Sequence, residues 1–595
     1  MISRFFTLPY LLLILLTFAS PLKAHEVFNL TYDKKKKTSL KLETMGRLAP
    51  SSGFLSVRAT AFNGEKAPVT WSFNVSSEET EYYSGDEMLS SFSLTCAPGK
   101  TQASEFLIPL VTARSDYEAP SVTCKIKAPT PYNSFNVCSI DSLVSDNRSQ
   151  ILISEALSIP NLSYLDAAIS KRRSSYSNDF GSSFIPRLLS NNWLSYSGFD
   201  AMAITASEWS NLSSSTKNAI LQWNRLGGRI HIFDDTQTAT FASLGLPNEN
   251  NNTNTLERSW GLCEIYSIPT SLVMPDHNKI VKDLIGRFNN EANRNYRYAD
   301  EAGRRTWPLQ KEFGKKSENP ILFVLILLIF AIVVGPLNLF VFTKPGQRHR
   351  LFITTPIISI GTSILLVALI FLVDGAGGKG SRIAFIEVRP DENTHYIQQN
   401  QISTSGVLFK TNFTTPTDTY ITPKSLKQSR LTQVYEDGPE LRFRTKLSDN
   451  GTYQHSGDFF KSRSLYAHSL LAIQSSRQRL ELSGTETEPV VTSTFSYPIN
   501  TIYYRDPQDK IWTNAKPLTQ GRPVSLREAN DANFQKWHGN QRSQLSLSEK
   551  ASFTKLAFRP GHFIARAEEA ELIDTLKSIK WQKSTAILSG PLVRK

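Results

Sequence analysis

Phe199-Asp200-Ala201-Met202-Ala203-Ile204-Thr205, a helical run from Ser213 to Leu226, then Gly227-Gly228 and Arg229-Ile230-His231-Ile232-Phe233 make up the stretch from which the fold class is read. Ala219, Ile220 and Trp223 keep helical spacing, and the paired glycines end the helix directly before an apolar run, which is an α-to-β turn. A strand, a helix and a strand in that order predict a doubly wound parallel sheet. Working outward, Ile151-Leu152-Ile153 starts an earlier strand and Trp260-Gly261-Leu262-Cys263-Glu264-Ile265 reads as a later one. Val281, Leu284, Ile285 and Phe288 then fall on one helical face leading toward the longest apolar runs of the chain.

Those runs, Ile321 to Phe342 and Leu351 to Val373, are 22 and 23 residues without a charge. Helices of about 20 apolar residues match a bilayer core, so both are predicted to span. The loop between them, residues 343–350, carries Lys344, Arg348 and Arg350 and fits the cytoplasmic side. At the start of the chain, Arg4, the apolar stretch Phe5 to Ala19 and a small residue at Ala24 have the pattern of a secretory signal over residues 1–24. Leu22 is bulky for the third position before a cut, which leaves an uncleaved anchor as the alternative. Either way a helical hairpin is expected, with a large exported domain on each side of it, in an integral protein of a bacterial inner or plasma membrane. Asn338 inside the first span is expected to bond a neighbouring helix.

Residues 25–135 alternate apolar and polar positions in short runs, among them Val69-Thr70-Trp71-Ser72-Phe73-Asn74-Val75, and read as an antiparallel β-sandwich. Cys96 and Cys124 both close such strands, so a disulfide between them or a pair of buried thiols is expected. The α/β unit occupies residues 140–300. After the second span, Gly375 to Ser381 reads as a flexible linker, and residues 382–595 as a β-rich exported domain with strands at Arg382–Val388, Val490–Phe495 and Ile502–Tyr504. Tyr466, Tyr497, Tyr503, Tyr504, Trp512 and Trp537 are either core or a sugar-stacking platform. Residues 567–577 look helical, with Glu568 and Glu569 in the first turn and Lys577 in the last.

Charge sharpens the placement. The 595 residues contain 66 Lys+Arg and 53 Asp+Glu, a formal net charge of +13. Residues 25–320 are neutral, with 31 of each sign, whereas residues 375–595 hold 30 Lys+Arg against 21 Asp+Glu. An exported, membrane-tethered domain has no nucleic acid to meet; lipid headgroups or an acidic envelope polymer are the natural counter-charge. Scattered pairs such as Arg477-x-Arg479 serve solubility in the alternative reading.

Phe184-Ile185-Pro186 through Trp193, Tyr196-Ser197-Gly198-Phe199-Asp200-Ala201, Leu212 and Gly227-Gly228-Arg229-Ile230 resemble the class I glutamine amidotransferase-like (flavodoxin-like) domain of large bacterial membrane-anchored proteins. Such proteins tend to carry Gly-Pro-Leu-Asn in the next transmembrane helix, which Gly335-Pro336-Leu337-Asn338 matches. The resemblance extends loosely over residues 140–595 and implies architecture more than activity.

A true amidotransferase needs a cysteine on a sharp strand-to-helix turn with a His and a carboxylate to activate it. No Gly-x-Cys-x-Gly exists in the chain, and Cys263 sits in a strand context. Nor is there a His-Glu-x-x-His, a Gly-x-Ser-x-Gly, a Cys-x-x-Cys or a phosphate-binding loop, and no metal or cofactor is implied. Asp234 and Asp235 end a predicted parallel strand, at the edge where such sheets place ligands, and are equally at home as turn residues. The expected function is therefore a non-enzymatic, membrane-tethered envelope protein binding a protein partner or an anionic polymer. The alternative is a hydrolase-like enzyme with its site at the carboxyl edge of the parallel sheet.

Overall fold

Along Val69–Glu78 every second side chain is buried, and this alternation sets the first layer of the structure. A computed structural model describes residues 25–78, 86–112, 120–143, 149–165, 180–246, 254–274, 284, 320–342, 346, 348–424, 441–447 and 452–594. The chain is mixed α/β, with many strands, few helices and several sheets. The signal segment 1–24 and, apart from Leu284, the helical face at Val281, Ile285 and Phe288 lie outside the described residues.

Eight strands come first: β1 (Glu26–Thr31), β2 (Ser39–Thr44), β3 (Phe54–Phe62), β4 (Val69–Glu78), β5 (Glu87–Cys96), β6 (Thr101–Pro109), β7 (Ser121–Lys127) and β8 (Phe135–Ile140). Strands β1-β2-β3-β6 form one sheet, while β5-β4-β7-β8 belong to another. Leu40, Leu42, Val57 and Ala59 of the first meet Trp71, Phe73 and Val75 of the second in one apolar core.

The parallel sheet follows, from β9 (Ile151–Ser154), α1 (Glu155–Ser158), β10 (Ser182–Phe184), β11 (Ala201–Thr205), α2 (Ala206–Asn211), α3 (Ser214–Arg225), β12 (Arg229–Asp234), β13 (Thr255–Arg258) and β14 (Gly261–Ser267). Its order is β10-β9-β11-β12-β14-β13, parallel except for the antiparallel edge strand β13. Ser213 caps α3 by accepting from the Thr216 amide at 3.2 Å. Ala219, Ile220 and Trp223 are its buried residues on the sheet side. The turn needs both glycines. Gly227 has φ +125°, and a Cβ on Gly228 would sit 2.3 Å from the Trp223 ring.

Next come α4 (Pro320–Ile332), a wider π-type stretch at Val333–Phe342 containing Pro336, and α5 (Leu351–Asp374). A proline without an N–H inside a helix favours such a local widening. Among the described residues α5 is the one helix long and apolar enough to cross a membrane. Its Phe352, Ile353, Ile357, Ile360 and Ile364 side chains are all more than 60 % exposed. Asn338 donates from Nδ2 to Thr355 Oγ1 at 2.9 Å, joining the π-type stretch to α5.

The remainder supplies β15 (Gly378–Arg389), β16 (Thr394–Ser405), β17 (Phe413–Pro416), β18 (Thr419–Lys424), β19 (Arg442–Leu447), β20 (Thr452–Gly457), β21 (Leu465–Ser475), β22 (Leu480–Gly484), β23 (Pro489–Ser493), β24 (Thr501–Arg505), β25 (Ile511–Asn514), β26 (Pro523–Ala529), α6 (Asp531–Ser543), α7 (Leu547–Lys555), β27 (His562–Ala567), β28 (Ile579–Pro591) and β29 (Val593–Arg594). Twelve of these strands make one large curled sheet, in which β15 lies between β16 and β28. The other three, β17-β20-β19, extend the N-terminal sheet, because β19 pairs in parallel with β5 from Arg442–Glu87 to Arg444–Leu89.

Of the two alternatives for Cys96 and Cys124, the structure has the buried thiols and no disulfide. They pair with Val69 and Val75 of β4 from opposite sides, so six residues, roughly 20 Å at about 3.3 Å per residue, separate them along the strand direction. Cys124 instead faces Cys138 of β8. The Gly375–Ser381 linker is largely strand: Gly378 and Gly380 belong to β15, and a Cβ on either would lie 2.4 Å from Ile579 or the Trp581 ring. These glycines make room for β28 rather than confer freedom. Residues 567–577 are not helical. Glu569 has φ +62°, and Ala570 and Leu572 turn into the core of the large sheet. The acidic start and basic end imitated a helix without its packing periodicity.

Candidate functional site

The parallel strands β9, β11, β12 and β14 end at Ser154, Thr205, Asp234 and Ser267, and this row is the carboxyl edge of the sheet. Strand order reverses between β9 and β11, where such sheets open a crevice. Ser154 and Thr205 stand on either side of it, and both are buried. Ser154 Oγ donates to Glu208 Oε1 at 2.6 Å and accepts from the Ala156 amide at 3.1 Å. Glu208 Oε2 accepts from the Thr205 amide at 3.2 Å, while Thr205 Oγ1 accepts from the Glu208 amide at 3.1 Å. The ring thus caps both α1 and α2. A serine nucleophile on a strand-to-helix turn must be exposed on strained backbone. Ser154 is wholly buried, at φ −58° and ψ 140°.

Asp234 and Asp235, the residues singled out from the sequence, lie beside this ring. Asp234 is buried and folds the next loop around itself: Oδ1 accepts from the Thr236 amide at 3.0 Å and its hydroxyl at 2.7 Å, and Oδ2 from the Ala239 amide at 3.0 Å. Burial pushes its carboxyl up, but these hydrogen bonds outweigh it and hold the group below the usual carboxylate range. Asp235 Oδ1 accepts from the Ser207 amide at 3.0 Å in the first turn of α2. Both aspartates are committed to backbone. Cys263 is fully buried in β14, where burial pushes its thiol up to about 12, so no thiolate forms near neutral pH.

Sequence reasoning missed three features. His25 enters the carboxyl edge from before β1, with Nε2 3.0 Å from Glu155 Oε1. His231, buried in mid-strand, places Nδ1 3.3 Å from Glu264 Oε2, to which the Tyr266 hydroxyl donates at 2.7 Å. Burial raises the Glu264 carboxyl, yet its bonds to His231 and Tyr266 bring it down to about 2. A histidine inside an apolar strand was the available signal. The third is a buried pair on two sheets: His455 of β20 lies between the Thr415 and Thr445 hydroxyls, at 2.9 and 3.1 Å, and His468 of β21 in the large sheet has Nε2 3.0 Å from the Phe459 carbonyl.

An open cavity of about 430 Å³ lies elsewhere, lined by Arg389, Pro390, Asp391, Arg479, His562, Pro591 and Val593. It sits where β15 and β28 end and β22 and β27 begin. Arg389 pairs with Asp391 at 2.8 Å and Arg479 with Glu481 at 2.9 Å. Arg559 Nε donates to His562 Nε2 at 3.3 Å. The lining itself thus holds two arginines and a histidine against one aspartate, and Arg389 also lies 3.9 Å from Glu392. The aromatic residues considered for a sugar platform are mostly core, with Tyr497, Tyr503, Tyr504 and Trp512 all buried. Among the described residues no three His, Cys, Asp or Glu side chains converge as a metal site.

No family model matches this chain, and no curated protein matches it. Among solved structures, a Paenibacillus sp. cycloisomaltooligosaccharide glucanotransferase complexed with cycloisomaltoheptaose is 11% identical, over 35% of this chain and 29% of that one, with a TM-score of 0.16. A likeness of that size carries no argument about fold or activity.

Proposed function

We propose that the chain is a membrane-tethered protein of the bacterial envelope that binds an anionic polymer without chemistry of its own. The cavity at Arg389, Arg479 and His562 carries this reading, because it is open and draws on more cationic than anionic side chains. It stands eleven residues along β15 from the strand's start next to α5, roughly 36 Å at about 3.3 Å per residue. A two-span hairpin with exported flanks would hold it at that height above the bilayer. The hydrogen bond between Asn338 and Thr355 supports the hairpin. The strand order, which runs second, first, third, fourth through the first four parallel strands, supports a flavodoxin-like unit related to the glutamine amidotransferase-like domains. Commitment of Asp234 and Asp235 to their own loops favours a degenerate unit over a hydrolase.

The test is binding of an acidic oligosaccharide by the full chain in detergent micelles. Replacing Arg479 and His562 with Glu should weaken binding at least tenfold and flatten its salt dependence, while charge reversal at Lys34 and Lys35 leaves it unchanged. Equal binding by all three proteins sinks the proposal. Reporter fusions at residues 300, 347 and 590 test the topology, and a cytoplasmic signal at 590 excludes an exported C-terminal half.

A further inference from the structure

We infer that the segments gathered around the C-terminal end of α5 form a collar that grips anionic lipid headgroups, with Phe409 set into the bilayer interface. This rests on reading α5 as a span. The helix ends on Gly375, whose amide donates to the Phe371 carbonyl at 3.0 Å. Backbone hydrogen bonds then tie two distant loops to Gly377 and Gly378, and a third loop to the first of these loops. Gly377 donates to Val407 O at 2.9 Å and Gly406 back to Gly377 O at 2.7 Å. Gly378 donates to Ser578 O at 3.0 Å, and Arg463 to Gly406 O at 2.9 Å. Leu408 adds an amide bond to Ser462 Oγ at 2.9 Å.

The loop so held presents Phe409, which is 80% exposed, with its ring stacked on Phe371 of the last helical turn at 5.8 Å. The two rings thus lie at one level of the helix. A phenylalanine at the level where a span leaves the hydrocarbon belongs to the interface, where aromatic side chains gather. Around it the same segments carry Lys379, Lys410, Lys461, Arg463, Lys577 and Lys580. All but the half-exposed Lys461 are exposed, and Lys379 and Lys580 are register partners on β15 and β28. Two nearby acids are already taken: Asp458 pairs with Lys461 at 3.1 Å and Asp574 with Arg382 at 2.8 Å. An apolar wedge inside a cationic ring at the mouth of a span is complementary to an anionic leaflet surface. Such a grip would hold β15 and its neighbours upright on the membrane rather than leave them swinging on one glycine.

The experiment uses the full chain in vesicles of phosphatidylcholine, with or without phosphatidylglycerol. A nitrobenzoxadiazole label is placed at Phe409→Cys, Ile364→Cys or Thr485→Cys, and quenching by lipid-borne nitroxides is read; the four native cysteines are buried. Shallow nitroxides should quench position 409, deep ones position 364, and neither position 485. Phosphatidylglycerol should raise quenching at 409 roughly twofold, and Lys410→Glu/Arg463→Glu/Lys577→Glu should abolish that rise. Quenching at 364 without quenching at 409 leaves the span intact and overturns the collar. No quenching at 364 overturns the span and the collar with it. Quenching at 409 indifferent to phosphatidylglycerol overturns the headgroup grip. Lys410→Cys, labelled in the same way, gives the same test should Phe409→Cys misfold.

Discussion

Arg225 at the end of α3 and Glu387 on β15 face each other 3.2 Å apart, both more than nine-tenths buried, across the junction of the parallel sheet with the large curled sheet. The same guanidinium reaches Glu392 at 2.8 Å and lies over the Tyr396 ring. Arg258 completes the cluster, its guanidinium brought down to about 10 by burial and by Arg225 beside it. Removing one partner of a buried ion pair strands the other charge, at a cost of about 3–5 kcal/mol. Arg225→Ala should therefore destabilise the chain by about 3 kcal/mol in denaturant unfolding followed by tryptophan fluorescence. Adding Glu387→Gln should recover part of the loss, since the stranded charge is then gone. Additive effects would show that the two side chains are not coupled.

The buried histidine pair makes stability depend on acid. Burial draws His455 down to about 3, with His468 adding to the effect, and His468 itself down to about 4 against a hydrogen bond to the Phe459 carbonyl. The folded state thus binds fewer protons than the unfolded one. Stability is full above pH 6.5 and falls as pH drops from there toward 4. For two such groups the loss between pH 7 and pH 5 is on the order of 3–4 kcal/mol. His468→Gln should lower the slope of unfolding free energy against pH in that window, with His395 and His538, which burial also draws down, carrying part of what remains. An unchanged slope would mean that the imidazoles do not control it.

Asp234→Ala removes three hydrogen bonds from one loop and should cost about 2 kcal/mol, whereas Asp235→Ala, with a single cap bond, should cost about 1 kcal/mol or less. Oligosaccharide binding should be untouched by either change. A larger effect of Asp234→Ala on binding than on unfolding would revive a ligand role for the carboxyl edge.

Oxidation should join Cys124 to Cys138, its register partner, and leave Cys96 free. Peptide mapping of the oxidised full chain without reductant is the measurement. A Cys96–Cys124 peptide would contradict the strand order around β4.

Legibility followed the range of the interaction. The α3 helix, its glycine end and the strands at Ala201 and Arg229 were readable because spacing, capping and turn chemistry act within a few residues. Asp234 was located at a strand end, but that its carboxylate is spent on Thr236 and Ala239 depends on the path of the loop. Gly378 and Gly380 were misread because composition does not show that Ile579 and Trp581, about 200 residues on, need the space. The collar and the Arg389 cavity were invisible for the same reason: each is assembled from loops distant in the chain.

By itself the sequence determined that the run forming α5 is apolar enough for a bilayer, that the strands at Ala201 and Arg229 flank a helix, and how the charge divides along the chain. These follow from local periodicity, and from the bilayer thickness that a helix must match. Only the tertiary structure decided that β19 joins β5, that Cys124 faces Cys138, that Arg225 is buried against Glu387, and that Phe409 stacks on Phe371 at the end of α5. Each is a contact between residues far apart in sequence, where backbone pairing and close packing choose the partner and no local pattern records the choice.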